Sequence, residues 1–232
     1  MPGERYPRVS RCKSADQFRR RLAELQLEVP CDDEVLAAPT SPLAAAATVP
    51  SQGGWTAPRT VGNRFAIHPM EGWDGTREGL PSDLTRRRWR NFGRSGAKLI
   101  WGGEAFAVCP EGRANPNQLM ATPECRAGMA ELRELLLQAH VETTGDTDGL
   151  LVGLQLTHSG RFCRPDGPKL EPGILYRHPI LDGKFGIADD HPVLTDTYLE
   201  ELVERYGETK GVVGFMVTSV RYRPVHHNSY MR

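Results

Sequence analysis

The sequence predicts an α/β protein with a parallel sheet, for three reasons. Strand and helix patterns alternate three times along the chain, which is the order of consecutive β–α–β units. Residues 150–154 form a short, almost wholly apolar run, typical of a strand buried on both faces. Polar or small residues follow each predicted strand. Because parallel strands end at one edge of their sheet, these residues should share one rim, where α/β barrels and open α/β sheets bind ligands.

Composition argues against several classes of protein. The 232 residues carry a formal net charge of zero, which gives no electrostatic reason to expect nucleic acid or an anionic membrane surface as a partner. No apolar run approaches the roughly 20 residues that cross a bilayer. We therefore expect a cytoplasmic protein that does not bind membranes. One arginine-rich helix face is expected to be solvated; its members are Arg86, Arg87, Arg88, Arg90 and Arg94.

The sequence has five cysteines, an odd number. They are widely spaced, and no two of them form a C-x-x-C pair. No signal peptide is expected either. This pattern indicates reduced cytoplasmic thiols and argues against a disulfide framework or a zinc or iron–sulfur site, so no metal is predicted.

Residues 1–60 are predicted to form an N-terminal extension. Apolar residues recur at helical spacing from residue 14 or 15 to about residue 27. Residues 30–58 are rich in Pro, Ala, Ser and Gly without a clear period, so an irregular arm is expected there.

The strand–helix units are predicted to follow from residue 61. Strands are expected at residues 61–68, 97–101 and from 150 onward, and helices at 83–94, 123–142 and 196–206. Ser82 and Thr122 stand where N-caps belong, and Gly96 can end the first of these helices in the left-handed conformation. Residues 162–192 are rich in Pro and Gly and are predicted to form a long loop that shields the rim.

The rim residues suit ligand binding better than covalent chemistry. Pro69 ends strand pairing in the first loop, small residues occupy 102–105, and residues 155–161 supply an amide, an imidazole and a guanidinium. An ordinary turn after a core strand is the alternative for the third segment. The sequence contains no dinucleotide fingerprint, Walker loop, zinc-protease helix or nucleophile elbow. A preformed cofactor that carries the chemistry is therefore indicated.

Three motifs occur in order along the chain. They are Asn63-Arg64…Pro69-Met70, Gly96-Ala-Lys-Leu-Ile100…Glu104-Ala105…Pro110-Glu-Gly-Arg113, and Gln155-Leu-Thr-His-Ser-Gly-Arg161. They resemble the old yellow enzyme family of NADH:flavin oxidoreductases, most of all its 2,4-dienoyl-CoA reductase-like branch, over roughly residues 60–205. The resemblance implies a (β/α)8 TIM barrel with FMN bound noncovalently at the C-terminal rim. It also implies NAD(P)H as the reductant and an activated C=C bond as the hydride acceptor.

The same resemblance implies roles for seven residues. The cofactor-binding residues would be Pro69, Met70, Glu71, Ala105 and Gln155, and the substrate-binding residues would be Trp73 and His158. Gln155 would hydrogen-bond the pyrimidine half of the flavin, whereas Glu71 replaces the Thr or Cys that tunes the flavin in the family. For His158 and Arg161, hydrogen bonds that anchor the loop are an equal alternative. For His68 the alternative to a site role is a packed residue.

The length allows only part of a barrel, because a complete one takes about 250 residues. The chain has room for the first three to four strand–helix units, so residues 61–210 are predicted to be a partial FMN-binding barrel. Residues 211–215 resemble the entry to a fourth strand, but the family's histidine pattern does not follow. His226, His227 and Asn228 come too late to replace it. Residues 211–232 are therefore predicted to be a divergent, unstructured tail.

Three functions remain open at this point. The first is a truncated FMN-dependent NAD(P)H oxidoreductase that acts on a small-molecule substrate, with its turnover undecided. The second is a half-barrel that assembles with a second copy or with a separate C-terminal half into a working flavoenzyme, which open sheet edges would favour. The third is a noncatalytic half-barrel, either a fragment or a binding module.

Overall fold

The computed structural model describes residues 8–50, 57–101 and 104–209, together with the backbone of residues 216–222. The chain divides into two compact units, Met1–Ala45 and Ala46–Arg232. The first unit contains helix α1, Ala15–Glu24, and the Ser14 side chain accepts a hydrogen bond from Gln17 N–H to cap it. The helix predicted near residue 15 is therefore confirmed. The predicted boundary at residue 60 stays a prediction.

The second unit consists of short strands and four helices in its described residues. The strands are β1 Ala47–Val49, β2 Arg59–Val61, β3 Ala66–Ile67, β4 Leu99–Ile100, β5 Ala105–Ala107, β6 Leu151–His158 and β7 Met216–Tyr222. The helices are α2 Asp83–Arg94, α3 Arg126–Thr144, α4 Pro179–Phe185 and α5 Asp196–Thr209. Strands β1 and β2 pair antiparallel. The other five pair in parallel, which confirms the predicted parallel sheet.

Strands β4 and β5 occupy one position in that sheet. Leu151 N–H donates to Lys98 O at 2.8 Å, and Thr157 O accepts from Val108 N–H at 3.1 Å. Leu151 and Thr157 are six positions apart on β6, and residues an even number apart direct their backbone groups to the same edge of a strand. Strands β4 and β5 therefore both lie along one edge of β6. Strand β7 pairs along the opposite edge. Four successive parallel positions result, which form a partial (β/α)8 barrel that does not close within the described residues.

The core lies on one face of this sheet, under helices α2, α3 and α5. Its buried side chains include Trp89, Ile100, Leu132, Leu136, Leu154, Leu156, Leu202 and Tyr206. Side chains alternate between the two faces of a strand. Because Leu154 and Leu156 of β6 point into this core, Gln155 and Thr157 are directed to the opposite face, inside the partial barrel.

Helix α2 begins and ends where the sequence predicts. The Ser82 side chain accepts from Thr85 N–H, and the Thr85 hydroxyl accepts from Ser82 N–H, which forms a capping box. Gly96 adopts the left-handed conformation with φ of +71°. Among the described residues, no helix is long and apolar enough to cross a bilayer. All five cysteines lie within the described residues and are free thiols there.

Three local predictions are wrong. The strand predicted at 61–68 is divided between β2 and β3, because the Asn63 side chain accepts from Phe65 N–H and Lys98 N–H and turns the chain. The loop predicted at 162–192 contains α4. The tail predicted at 211–232 contains β7, whose valines favour a strand and whose backbone pairs with the edge of β6. Gly102, Gly103 and the segments 211–215 and 226–228 lie outside the described residues.

The close approach of α2 to α3 depends on Gly93 of α2. A methyl group there would lie 2.3 Å from Leu136 O and 3.0 Å from the Ala139 methyl carbon, both on α3. We expect Gly93→Ala to lower the free energy of unfolding by about 1–3 kcal/mol through overpacking, measured by urea denaturation. Gly207→Ala on α5 is the matched control, because nothing lies within 4 Å of its added methyl group. It should be neutral or stabilise the protein by up to about 1 kcal/mol, and a loss as large as that at Gly93 would contradict this account.

Candidate functional site

A cavity of about 480 Å³ lies at the carboxyl ends of the parallel strands. All seven residues selected from the sequence line it: Pro69, Met70, Glu71, Trp73, Ala105, Gln155 and His158. They belong to the loop after β3, to β5 and to β6. Three separate parts of the chain therefore meet at one place, while the role of each residue stays a prediction.

Gln155 and Ala105 are directly paired across the sheet, one on β6 and the other on β5. Gln155 is only 7% exposed, yet its side-chain amide makes no hydrogen bond with any residue that the structure describes. Since this amide lines the cavity, its donor and acceptor are both available to a ligand.

The loop after β3 carries the most exposed side chains of the cavity wall. Met70 is 73% exposed and Trp73 is 57% exposed. Trp73 has φ of +54°, a left-handed conformation that costs a non-glycine residue about 1–3 kcal/mol and that concentrates at functional sites. Its indole N–H donates to Glu71 Oε2 at 3.2 Å. The two side chains therefore form a unit at the mouth of the cavity.

His158 is buried, and its two ring nitrogens are used within the protein. Nδ1 accepts from Gly160 N–H at 3.0 Å, so the ring proton lies on Nε2 and is directed to the Tyr198 hydroxyl at 2.9 Å. Burial lowers the pKa of His158 to about 4. The neutral ring thus fixes the turn after β6, which favours the anchoring alternative over a hydrogen bond to substrate.

The buried, neutral state of His158 has a consequence for acid stability. Its folded-state pKa is lowered from the usual 6.5, so its contribution is complete above pH 6.5 and is lost as the pH falls towards 4. We expect a loss of about 3 kcal/mol over this window, which His158→Phe should largely abolish. His68→Phe is the control, because His68 is exposed. Equal acid dependence of wild type and His158→Phe, measured by urea denaturation, would contradict this account.

Arg161 anchors the long loop that follows β6. Its guanidinium pairs with the buried carboxylate of Asp182 on α4 and donates to Tyr176 O at 2.8 Å. Arg161 is 4% exposed and does not line the cavity. The structure therefore supports loop anchoring for this residue as well. The alternative that His68 is packed is wrong, since its side chain is exposed.

Solved structures share this fold over part of their length. The old yellow enzyme from Pichia sp. AKU4542 superposes with a TM-score of 0.54 and 17% identity, over 76% of this chain and 44% of that chain. The old yellow enzyme homologue from Zymomonas mobilis gives a TM-score of 0.52 and 18% identity, over 75% of this chain and 46% of that chain. The chain has the old yellow enzyme fold.

Further comparisons show that this similarity concerns the fold alone. A 2-naphthoyl-CoA reductase complex superposes with a TM-score of 0.54 and 13% identity, over 74% of this chain and 25% of that chain. No protein-family model and no curated protein sequence matches the chain. The chain spans less than half the length of the old yellow enzyme structures, and identities this low show the fold alone.

Within the old yellow enzyme fold, a buried charge network fixes the loop after β3. Arg88 of α2 donates to both carboxylate oxygens of Asp74, at 2.7 and 2.9 Å, and also to Glu104. Glu104 in turn accepts from Gly72 N–H at 2.8 Å. Burial raises the pKa of Glu104 to about 7, although Arg88 opposes this shift. The network ties the loop to the start of β5 and so positions two walls of the cavity.

The prediction that Arg88 belongs to a solvated face is therefore wrong. Its side chain is 24% exposed and contacts a carboxylate that is 1% exposed. The sequence groups Arg88 with exposed arginines such as Arg87. Helical periodicity shows which residues share a face, but it does not show which long side chain reaches an acid elsewhere in the chain. The sequence signal was a Glu directly after a predicted strand, at position 104, since an acid that is buried there would need a cation.

Five further residues line the cavity that the sequence did not select as site residues: Ala114, Thr157, Ser159, Phe162 and Arg164. Thr157 and Ser159 were recognisable as polar residues of the strand end. Arg164 lies in a segment that the sequence showed only as a loop. No group of His, Cys, Asp and Glu within the described ranges could hold a metal ion.

Proposed function

We propose that the cavity binds the isoalloxazine ring of FMN and that the chain belongs to an FMN-dependent NAD(P)H oxidoreductase of the old yellow enzyme type. The observation that carries this proposal is the Gln155 amide, which lines the cavity and has no hydrogen-bond partner among the residues that the structure describes. A flat ring with alternating donors and acceptors on its polar edge would satisfy both halves of that amide. The fold supports the proposal independently of this residue.

The other lining residues fit the same ligand. Ala105 is small and lies beside Gln155, so it permits close approach of a ring edge. Pro69 and Met70 would lie against the ring, and Trp73 would wall the substrate pocket. When bound, FMN would supply hydride transfer from NAD(P)H to an activated C=C bond. Fixed donors such as Gln155 N–H would stabilise negative charge on the ring without reorganisation.

Glu71 is a departure with a chemical consequence. A carboxylate at this place puts negative charge near the ring, where the family has Thr or Cys. Negative charge beside an electron acceptor disfavours its reduction. We infer a lower reduction potential for bound FMN than a hydroxyl or thiol at this position would give.

Titration of FMN with the purified chain tests the proposal. Binding should quench FMN fluorescence and raise the melting temperature of the protein. Gln155→Leu should weaken binding by about tenfold, the loss expected for about two hydrogen bonds. Gln138→Leu on α3 is the control, since that residue is exposed and outside the cavity. Absence of binding, or equal binding by Gln155→Leu and wild type, would contradict the proposed site.

A half-barrel that needs a partner is the second candidate. Strand β3 pairs only with β4, and β7 only with β6, among the strands described. Each therefore leaves one edge open, which a neighbouring strand would cover in a closed barrel. If this candidate is correct, FMN binding should appear only when light scattering shows a dimer or when a complementary half is added. FMN binding by a monodisperse monomer would contradict it.

A further inference from the structure

A chain of hydrogen bonds connects the cavity wall with helix α5. His158 Nε2–H donates to the Tyr198 hydroxyl at 2.9 Å, and that hydroxyl donates to Glu111 Oε1 at 3.3 Å. Arg205 Nη1 donates to the same carboxylate oxygen at 2.5 Å. Of these four residues, only His158 lines the cavity. The other three can therefore influence a ligand in the cavity only through the imidazole ring.

The two ends of this chain fix the direction of every bond in it. At one end, Gly160 N–H can only donate, so His158 Nδ1 accepts from it and the ring proton lies on Nε2. At the other end, the carboxylate of Glu111 is paired with Arg205 and can only accept. Burial raises the pKa of the Tyr198 hydroxyl, which therefore keeps the proton that it donates. One arrangement of protons satisfies the whole chain, and it contains one tautomer of His158.

Packing holds the same ring in place. The rings of His158 and Tyr198 meet edge to face, with centroids 6.1 Å apart and an interplanar angle of 75°. A methyl group at Gly112 would lie 2.6 Å from His158 Cδ2, so the backbone there is in close contact with the ring. Because both ring nitrogens are engaged within the protein, His158 offers a ligand the carbon surface of the imidazole.

We propose that Tyr198 and Glu111 are positioning residues of the cavity. They hold the His158 imidazole in one tautomer and one orientation, and so they set the wall against which a flat ligand packs. Arg205 supports the chain by fixing Glu111. The step from this wall to flavin affinity rests on the proposed function, whereas the state of the imidazole does not. Residues outside the cavity thus contribute to affinity without contact with the ligand.

Tyr198→Phe tests the proposal, because it removes the hydroxyl and keeps the aromatic ring. NMR spectroscopy of the histidine ring nitrogens in the full chain should show wild-type His158 protonated at Nε2, with that proton protected from solvent exchange. The signal is assigned by its loss in His158→Phe. Tyr198→Phe should abolish the protection and weaken FMN binding about threefold to tenfold, the loss expected for one hydrogen bond.

Tyr206→Phe is the matched control, since it makes the same change on the same helix. Tyr206 packs in the core and does not line the cavity. Its replacement should leave the His158 signal and FMN affinity unchanged, whatever it does to the melting temperature. Effects on both readouts as large as those of Tyr198→Phe would show a general response to altered packing and overturn the inference.

Two variants of Glu111 separate positioning from a loss of stability. Glu111→Gln keeps an oxygen that can accept from the Tyr198 hydroxyl, so the protected Nε2 proton and most of the FMN affinity should remain. Glu111→Ala removes that oxygen and should resemble Tyr198→Phe. Both variants lose the ion pair with Arg205, so a merely structural role predicts the same change in both, measured by melting curves, NMR and FMN titration.

A wild-type His158 protonated at Nδ1, or an unchanged His158 signal in Tyr198→Phe, would overturn the inference. Equal FMN affinity of Tyr198→Phe and wild type, despite a changed His158 signal, would reject the positioning role and leave the proposed function intact. The predicted His158 signal in a wild-type chain that does not bind FMN would do the reverse, because it would support the held imidazole and reject the proposed function.

Discussion

Replacement of Arg88 with methionine is expected to lower the free energy of unfolding by about 3–5 kcal/mol, because it leaves Glu104 buried without its cation. The Glu104 side chain is 1% exposed, and among the described residues only the backbone N–H groups of Gly72 and Ala105 would still donate to it. Arg86→Met is the matched control on the same helix. Arg86 pairs with the partly exposed Glu131 at the surface, so its loss should be worth about 0–1 kcal/mol. Urea denaturation at pH 7 measures both.

The destabilisation by Arg88→Met should depend on pH. Burial already raises the pKa of Glu104 to about 7 with Arg88 in place, and removal of that cation raises the pKa further. A carboxyl whose pKa is raised by folding destabilises the protein least at low pH, where it is protonated in both states. Stability is lost as the pH rises from the pKa of the unfolded protein, about 4.3, through the pKa of the folded protein. The variant should therefore be closer to wild type at pH 5 than at pH 8. Equal losses at both values, or a loss no larger than that of Arg86→Met, would contradict the network.

The second large effect is expected for Arg161→Met. Its ion pair with Asp182 is nearly inaccessible to solvent, with side-chain exposures of 5% and 11%. Loss of one partner should destabilise the protein by about 3–5 kcal/mol, with opening of residues 162–192 before global unfolding. Limited proteolysis should cut this segment faster in the variant. Lys169→Met, an exposed charge of the same segment, should not change the cleavage rate.

The same variant separates the two roles that the sequence allowed for Arg161. If the residue anchors the loop, stability and protease resistance fall together in the absence of any ligand. If it contacts a ligand instead, the variant keeps its stability and loses only affinity for FMN. The second outcome would contradict the structural assignment.

The fold was predictable from the sequence where local patterns were strong. Helix α2 has its capping residues and its glycine in place, and β6 is a continuous apolar run. The short elements were not predictable in this way. Strand β3 has two residues, and α4 has seven residues in a Pro- and Gly-rich segment, so neither carries a periodic pattern.

The candidate site was predictable to the extent that it follows strand ends. Gln155, Ala105 and the loop after β3 meet as the motif order requires. Arg88 was not selected, because its importance depends on long-range partners. It reaches two acids from a helix face that is otherwise largely solvated. This contact is not visible in residue spacing.

A crystal structure of the chain grown with FMN is the most direct test of the central claim. We expect the isoalloxazine ring in the cavity, with its polar edge hydrogen-bonded to the Gln155 amide and the Pro69–Met70 segment against one side. A ring bound elsewhere, or a Gln155 amide satisfied by the protein with the cavity closed, would contradict the claim that these three strand ends form one flavin site.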